Sequence, residues 1–202
     1  MERWYVLKTR EGREEQAAAL LARACGRQLW NQVRVLKKRR VFRSGGAFHL
    51  LDGVLFPGYV FVQTACPEAL SRALARSREF PQMVCQEERS AVLVPVEPAD
   101  LAFLQSVCGK ELAHPMDVTR LVLTADGRIE RAEGILGCYL DHLVRLNLHR
   151  RFAVARVALF NRSQDVLFGI VLSQDRLEKA ESAARLGSAG LQTEQRKQRQ
   201  QP

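Results

Sequence analysis

The sequence is poor in the residues and patterns that carry bond chemistry. Its 202 residues include only 4 His, scattered at His49, His114, His142 and His149, and no glycine-rich phosphate loop, HExxH or GxSxG motif occurs. The five cysteines (Cys25, Cys66, Cys85, Cys108, Cys138) are an odd number with no CxxC pair, a pattern of reduced, core-packing thiols rather than of a disulfide frame or zinc knuckle. Cys138 and His142 form the one Cys/His pair at helical spacing, and zinc needs three or four ligands. No enzyme activity, catalytic residue, metal or cofactor is therefore expected. Long apolar runs are missing too: none approaches the roughly 20 residues of a membrane-spanning helix. Met1-Glu2-Arg3-Trp4 lacks the order of a signal peptide, so the expected location is the cytosol, without a membrane partner.

What is present is enough apolar matter for a core and an excess of positive charge. With 47% apolar residues and few Gly and Pro, the chain falls outside the disordered and low-complexity classes. The formal net charge of +9 points to a polyanionic partner. Because 25 of the 31 basic residues are Arg, a compositional habit could produce the excess, and its distribution decides more. Residues 1–112 hold 17 basic and 12 acidic side chains, and residues 113–202 hold 14 and 10, so both halves are basic.

Trp4 to Thr9 reads as a strand, followed by a helix opened by Glu14 and Glu15 and closed by Gly26. Val33 to Phe42, Phe48 to Leu51 and Val54 to Gln63 read as extended segments, with breaks at Ser44-Gly45-Gly46 and Asp52-Gly53. Pro67 starts a short helix, Ser90 to Val96 is a strand, and Pro98 starts a helix that Gly109 stops. This order predicts an α/β layer over residues 1–108. Residues 109–117 read as a linker. Residues 118–174 carry five short extended runs, the pattern of a small all-β barrel, in which Phe152, Val154, Ala158 and Phe160 alternate on one face with Arg156 among them. Residues 175–202 read as a helix-prone or disordered tail.

Two windows lack acidic residues. Between Arg27 and Arg43 lie seven basic residues centred on Lys37-Lys38-Arg39-Arg40. In a strand this run charges both faces, so the hairpin is expected to project into solvent or onto a phosphate backbone, with Arg10 and Arg13 at the same end. An edge strand protected by charge is the competing explanation. The second window, His142 to Gln164, holds Arg145, His149, Arg150, Arg151, Arg156 and Arg162, with Arg150 and Arg151 placed in a loop between barrel strands. Loop arginines suit RNA phosphates and bases, and ordinary solvated charge fits them equally well. The segment Phe56-Pro57-Gly58-Tyr59-Val60-Phe61-Val62 is apolar at both parities. If Tyr59 and Phe61 share one face, Phe56, Val60 and Val62 take the other, and both faces need cover. That cover comes from within the domain or from a partner helix.

The Trp4-Tyr5-Val6-Leu7-Lys8-Thr9 strand followed by a helix, the FPGYVFV segment after a basic hairpin, and the Pro95-Val96 strand leading into a helix together resemble the N-terminal domain of NusG-like transcription factors. Arg128-Ile129 to Leu172 resembles their SH3-like KOW barrel. Gly134-Ile135-Leu136-Gly137 and Arg145-Leu146-Asn147-Leu148-His149-Arg150-Arg151-Phe152-Ala153 are similar to the LoaP-type specialised antiterminators. The two stretches cover about four-fifths of the chain in the family's order.

The resemblance implies an α+β protein, with a NusG-like α/β sandwich followed by a KOW barrel, that acts as a monomeric bacterial elongation and antitermination factor. Tyr5, Phe56, Pro57, Tyr59 and Phe61 would form the seat for the clamp helices of RNA polymerase. Arg10, Arg13, Lys37, Lys38, Arg39 and Arg40 would lie towards non-template DNA. Arg145, His149, Arg150, Arg151 and Arg162 would meet nascent RNA. Asn161-Arg162-Ser163-Gln164-Asp165-Val166 stands where general NusG proteins carry a Gly-Arg-x-Thr-Pro-Val turn, which leaves contacts with the ribosome or Rho open. Ser71-Arg72-Ala73-Leu74 stands where one specialised relative has a threonine-rich turn, so no cleft-closing role is carried onto it. A general NusG factor and a stand-alone RNA-binding KOW protein are the alternative readings.

Overall fold

The alternating apolar strand Arg3–Lys8 (β1) pairs antiparallel with Tyr59–Thr64 (β5), and together they form the centre of the first sheet. Short strands Gln32–Arg34 (β2) and Leu93–Pro95 (β6) flank them in the order β2-β5-β1-β6. This computed structural model describes residues 2–77, 93–175 and 177–178. Strand parity divides the side chains of this sheet between two cores. Leu7, Val60 and Val62 pack with Leu20 and Leu21 of helix Glu14–Ala24 (α1) and with Leu70 and Leu74 of helix Pro67–Arg76 (α2). Trp4, Val6 and Phe61 enter the other core, with Phe103, Leu104, Val107 and Cys108 of helix Pro98–Cys108 (α3). The helices start as the sequence predicts, with Glu14 and Glu15 in the first turn of α1 and Pro at the start of α2 and α3, and Gly109 ends α3, whereas α1 is capped by Cys25, one residue before the expected Gly26.

The basic run lies in a hairpin of Lys37–Ser44 (β3) and Ala47–Val54 (β4), paired in unbroken register from Lys37↔Val54 to Ser44↔Ala47. Asp52-Gly53, read as a turn, is interior to β4, opposite Arg39 and Lys38. The chain turns instead at Pro57-Gly58, where Gly58 adopts φ 81°, which costs a residue without Cβ little. Thr9 N–H donates to the Gly58 carbonyl at 2.8 Å and pins the turn to the end of β1.

The second half forms a five-stranded sheet of Thr119–Leu123 (β7), Ile129–Glu133 (β8), Leu143–Asn147 (β9), Phe152–Leu159 (β10) and Arg162–Leu172 (β11), in the order β8-β7-β11-β10-β9. The alternation in β10 has the opposite phase to the one expected. Ala153, Ala155, Val157 and Leu159 are the buried set, because small and branched side chains fit a tightly curved interior, while Phe152 and Val154 are half-buried and Arg156 and Ala158 exposed. Phe160 is not in the strand at all. It forms a two-residue turn with Asn161, at φ 55° and 58°.

The core does not divide at residues 109–117. Leu112 and Met116 are buried in the same apolar cluster as Phe61, Phe103, Phe168 and Ile170. Met116 N–H donates to the Lys37 carbonyl at 2.9 Å and its carbonyl accepts from Arg39 N–H at 2.8 Å. Residues Leu177–Glu178 (β12), in the segment read as tail, pair in parallel with Phe48 and His49 of β4. Part of the strand expected over Ser90 to Val96 lies outside the described residues. Among the described residues no helix is long and apolar enough to cross a membrane.

Candidate functional site

The Pro57-Gly58 turn decides which aromatics meet. It resets strand phase, so Phe56 packs beside Phe61, with centroids 6.3 Å apart, instead of on the opposite face with Val60 and Val62. Tyr59 joins them at the edge of the cluster, half-buried. Tyr5 does not: its neighbours Trp4 and Val6 point to this face, and Tyr5 packs on the helix side. Of the expected aromatic seat, the structure brings together Phe56, Tyr59 and Phe61, with Pro57 exposed in the turn.

The second cover that this strand needs comes from the C-terminal sheet. Phe160, at the β10–β11 turn, lies 5.7 Å from Tyr59 in a stacked arrangement, 5.6 Å from Phe56 edge-on and 6.1 Å from Phe61. Its backbone N–H donates to Asp100 Oδ2 of α3 at 3.1 Å, and Arg162 donates from Nη2 to the Tyr59 hydroxyl. Phe61 is fully buried and Phe56 is 5% exposed beneath this turn. A bulky residue with positive φ is strained, at a cost of about 1–3 kcal/mol, and the aromatic contacts hold it there. Phe160 and Asp100 escape a reading of the sequence because nothing in an alternating strand marks its last aromatic as a turn tip.

Glu14 joins the Pro57-Gly58 turn to the start of α1. Its carboxylate, in a residue 2% exposed, accepts from Gly58 N–H at 2.6 Å and Gly12 N–H at 3.0 Å. Burial pushes its pKa up, but the Gly58 and Gly12 hydrogen bonds and the nearby Lys37 outweigh this and hold it below the ordinary carboxylate value. Arg10 and Arg13 sit exposed in the connection between β1 and α1, Arg13 donating to Gln16 Oε1 at 2.6 Å.

The basic hairpin is spread across the contact between the two halves and does not project freely. Lys37 pairs with Glu15, and Arg39 with Asp117 at 3.3 Å and Asp52 at 3.7 Å. Burial, with Arg40 close by, lowers the Lys38 pKa. Gly169 of β11 lies so near the Arg39 carbonyl that a Cβ there would come within 2.5 Å of the oxygen. A strand charged on both faces can be packed this way because long stems cover apolar surface and acids from three elements meet the heads. Arg40 remains exposed.

Of the expected RNA contacts, His149 and Arg150 are exposed in the β9–β10 loop, and Arg145 lies over the Phe152 ring at 5.4 Å. Arg151 is fixed: Nε and Nη2 each donate to Asp175 at 2.6 Å, the guanidinium lies 4.6 Å from the Phe48 ring centroid, and Nη1 reaches the Leu148 carbonyl. Its side chain is 13% exposed and that of Asp175 3%. Arg162 is held by Tyr59. Among the described residues no group of His, Cys, Asp and Glu could hold a metal ion.

Residues 2–103 match the family model described as NusG, transcription termination factor nusG. Among solved structures, one of Thermotoga maritima NusG concerned with domain interaction shares 16% identity, with 84% of this chain and 94% of that chain covered and a TM-score of 0.44. A chain of the MjSpt4:Spt5 complex shares 17% identity, with 82% and 92% covered and a TM-score of 0.32. No curated protein sequence matches.

Proposed function

The chain belongs to the NusG family of transcription factors, and on that premise we propose that it is a specialised processive antiterminator of bacterial transcription. In this reading it docks on the clamp helices of RNA polymerase and contacts nucleic acid, suppressing pausing and termination. The seat is Phe56, Pro57, Tyr59 and Phe61, and the five-stranded sheet is a KOW barrel that offers His149 and Arg150 to nascent RNA. Arg10, Arg13 and Arg40 face non-template DNA. Action is mechanical: bridging the polymerase stabilises its elongating state, and two tethered weak contacts reinforce each other.

The observation that supports this reading is the kind of cover the seat has. Phe56, Tyr59 and Phe61 are closed by one strained turn, Phe160-Asn161, fastened by two hydrogen bonds. An apolar partner helix can take the place of this turn over Phe56 and Tyr59, and docking also has to part the C-terminal sheet from the cluster in which Met116 and Phe168 pack with Phe61. Polymerase docking then requires the turn to leave, so the arrangement described here is the undocked one.

The test is co-elution with core RNA polymerase at low salt. Tyr59→Ala is the informative variant, because Phe61 is fully buried and its truncation would destabilise the fold. Since Tyr59 also holds Arg162, the variant is compared in a Phe160→Asn background, where the Phe160 ring no longer covers the seat, and there it should weaken binding. Absence of polymerase binding by both wild type and Phe160→Asn would overturn the reading. RNA binding without polymerase binding would favour a stand-alone RNA-binding protein.

A further inference from the structure

Around the edge strand β2 an open groove of about 560 Å³ runs from α1 on the helix side of the sheet, where Trp30 and Val33 pack, to the face of Phe61, with which Arg34 is in register. Ala18 and Ala22, one turn apart on α1, keep it wide, and Arg27, Trp30 and Arg34 line it, with Glu111 the one acid among its lining residues. The Arg27 guanidinium carbon lies 4.0 Å from the Trp30 ring centroid. The indole Nε1 donates to the Cys25 carbonyl at 3.3 Å, which fixes the ring plane. Arg34 directs its donors at neutral acceptors: Gln32 Oε1 at 2.6 Å, the Val33 carbonyl at 3.2 Å and the Glu111 carbonyl at 3.3 Å. The Glu111 carboxylate accepts instead from the Gln32 side-chain amide. Among the described residues neither Arg27 nor Arg34 has a carboxylate partner.

A guanidinium lying over an indole ring offers a flat surface for stacking, and a second cation with unneutralised charge beside it offers a phosphate contact. The small side chains of Ala18 and Ala22 in the same groove leave room for a planar ring. We infer that this groove binds single-stranded nucleic acid, with a base stacked on the Arg27–Trp30 pair and the adjoining phosphate met by Arg34. The groove is open in the arrangement in which Phe160 covers the seat. It therefore does not rest on polymerase docking.

Trp30 supplies its own signal, since the only other tryptophan, Trp4, is 5% exposed. Titrating the full-length protein with single-stranded decamers of uridine or deoxythymidine should quench the Trp30 emission, and Trp30→Phe should abolish the quench. Arg27→Ala and Arg34→Ala should each weaken binding by about fivefold or more and lower the salt slope by about one. Arg128→Ala, just before β8 with its side chain 85% exposed, should leave the Trp30 quench amplitude unchanged. If Trp30→Phe fails to fold, the salt slopes of the two arginine variants decide alone. No quenching at saturation, or unchanged affinity and slope in both arginine variants, would overturn the assignment. So would an equal response to a poly-glutamate decamer, which would make the groove a contact for acidic protein.

Discussion

Phe160 stacks on Tyr59 with ring centroids 5.7 Å apart and planes 18° from parallel, so an aromatic of the C-terminal sheet occupies the place where the first sheet needs a second cover. Phe160 holds a left-handed backbone, which Asn tolerates better than Phe. Phe160→Asn removes about 3 kcal/mol of aromatic burial between the halves and relieves about 1 kcal/mol of strain. Polymerase affinity should rise by about tenfold or more, because less of the protein is held in the covered form. An unchanged dissociation constant, measured by surface-immobilised core polymerase, would mean that the turn does not compete with docking.

Glu14 should make the seat acid-sensitive. Its folded pKa is depressed, so its contribution is fully present above the ordinary carboxylate value of the unfolded chain and is lost as pH falls through the lower folded value. Glu14→Gln keeps the shape but loses the charge, at a cost of about 1–2 kcal/mol near neutral pH. The melting-temperature gap between wild type and variant should close steadily as pH drops below about 4.5. A constant gap would show that the carboxylate charge is not what holds the Gly12 and Gly58 N–H groups.

Much of this arrangement is legible in the sequence, and its failures have local causes. Helix limits follow from Glu14-Glu15, Pro67, Pro98 and Gly109, whose effects are short-range. The five-strand pattern of the second half also shows through, because turn residues punctuate it. Seat membership does not, because it depends on whether Pro57-Gly58 preserves or resets strand phase, and both phases leave an apolar run. The role of Arg151 is hidden for a different reason. A loop arginine next to Arg150 looks available for RNA until Asp175, 24 residues away, is folded onto it. The packing of Arg39 depends likewise on Asp117, which the sequence places in a polar connector.

Arg150 and Arg151 should therefore behave oppositely despite being neighbours. Burial raises the Asp175 pKa, but the Arg151 guanidinium, the Leu172 N–H and more distant Arg120 hold it below the ordinary value. Its contribution is complete above the unfolded carboxylate value and is lost on acidification through the folded one. Asp175→Asn or Arg151→Ala should cost about 3 kcal/mol, since each strands a buried partner, whereas Arg150→Ala should leave thermal stability unchanged and lower RNA affinity. Equal melting temperatures for Arg150→Ala and Arg151→Ala would contradict the buried pair.

Thiol reactivity reports on whether the shared core opens. Burial raises the Cys25 pKa, and burial pushes the Cys108 thiol up to about 12 despite a backbone hydrogen bond involving Met116, while Cys66 and Cys138 are exposed. At pH 8, iodoacetamide followed by peptide mapping should modify Cys66 and Cys138 in the native protein and leave Cys25 and Cys108 untouched until denaturant is added. Cys108 packs in the cluster that runs from Phe61 to Phe168, whereas Cys25 sits in the separate helix-side core. Phe160→Asn should therefore speed the labelling of Cys108 and leave Cys25 protected. Parallel acceleration at both thiols would indicate global unfolding instead of separation of the C-terminal sheet from the seat.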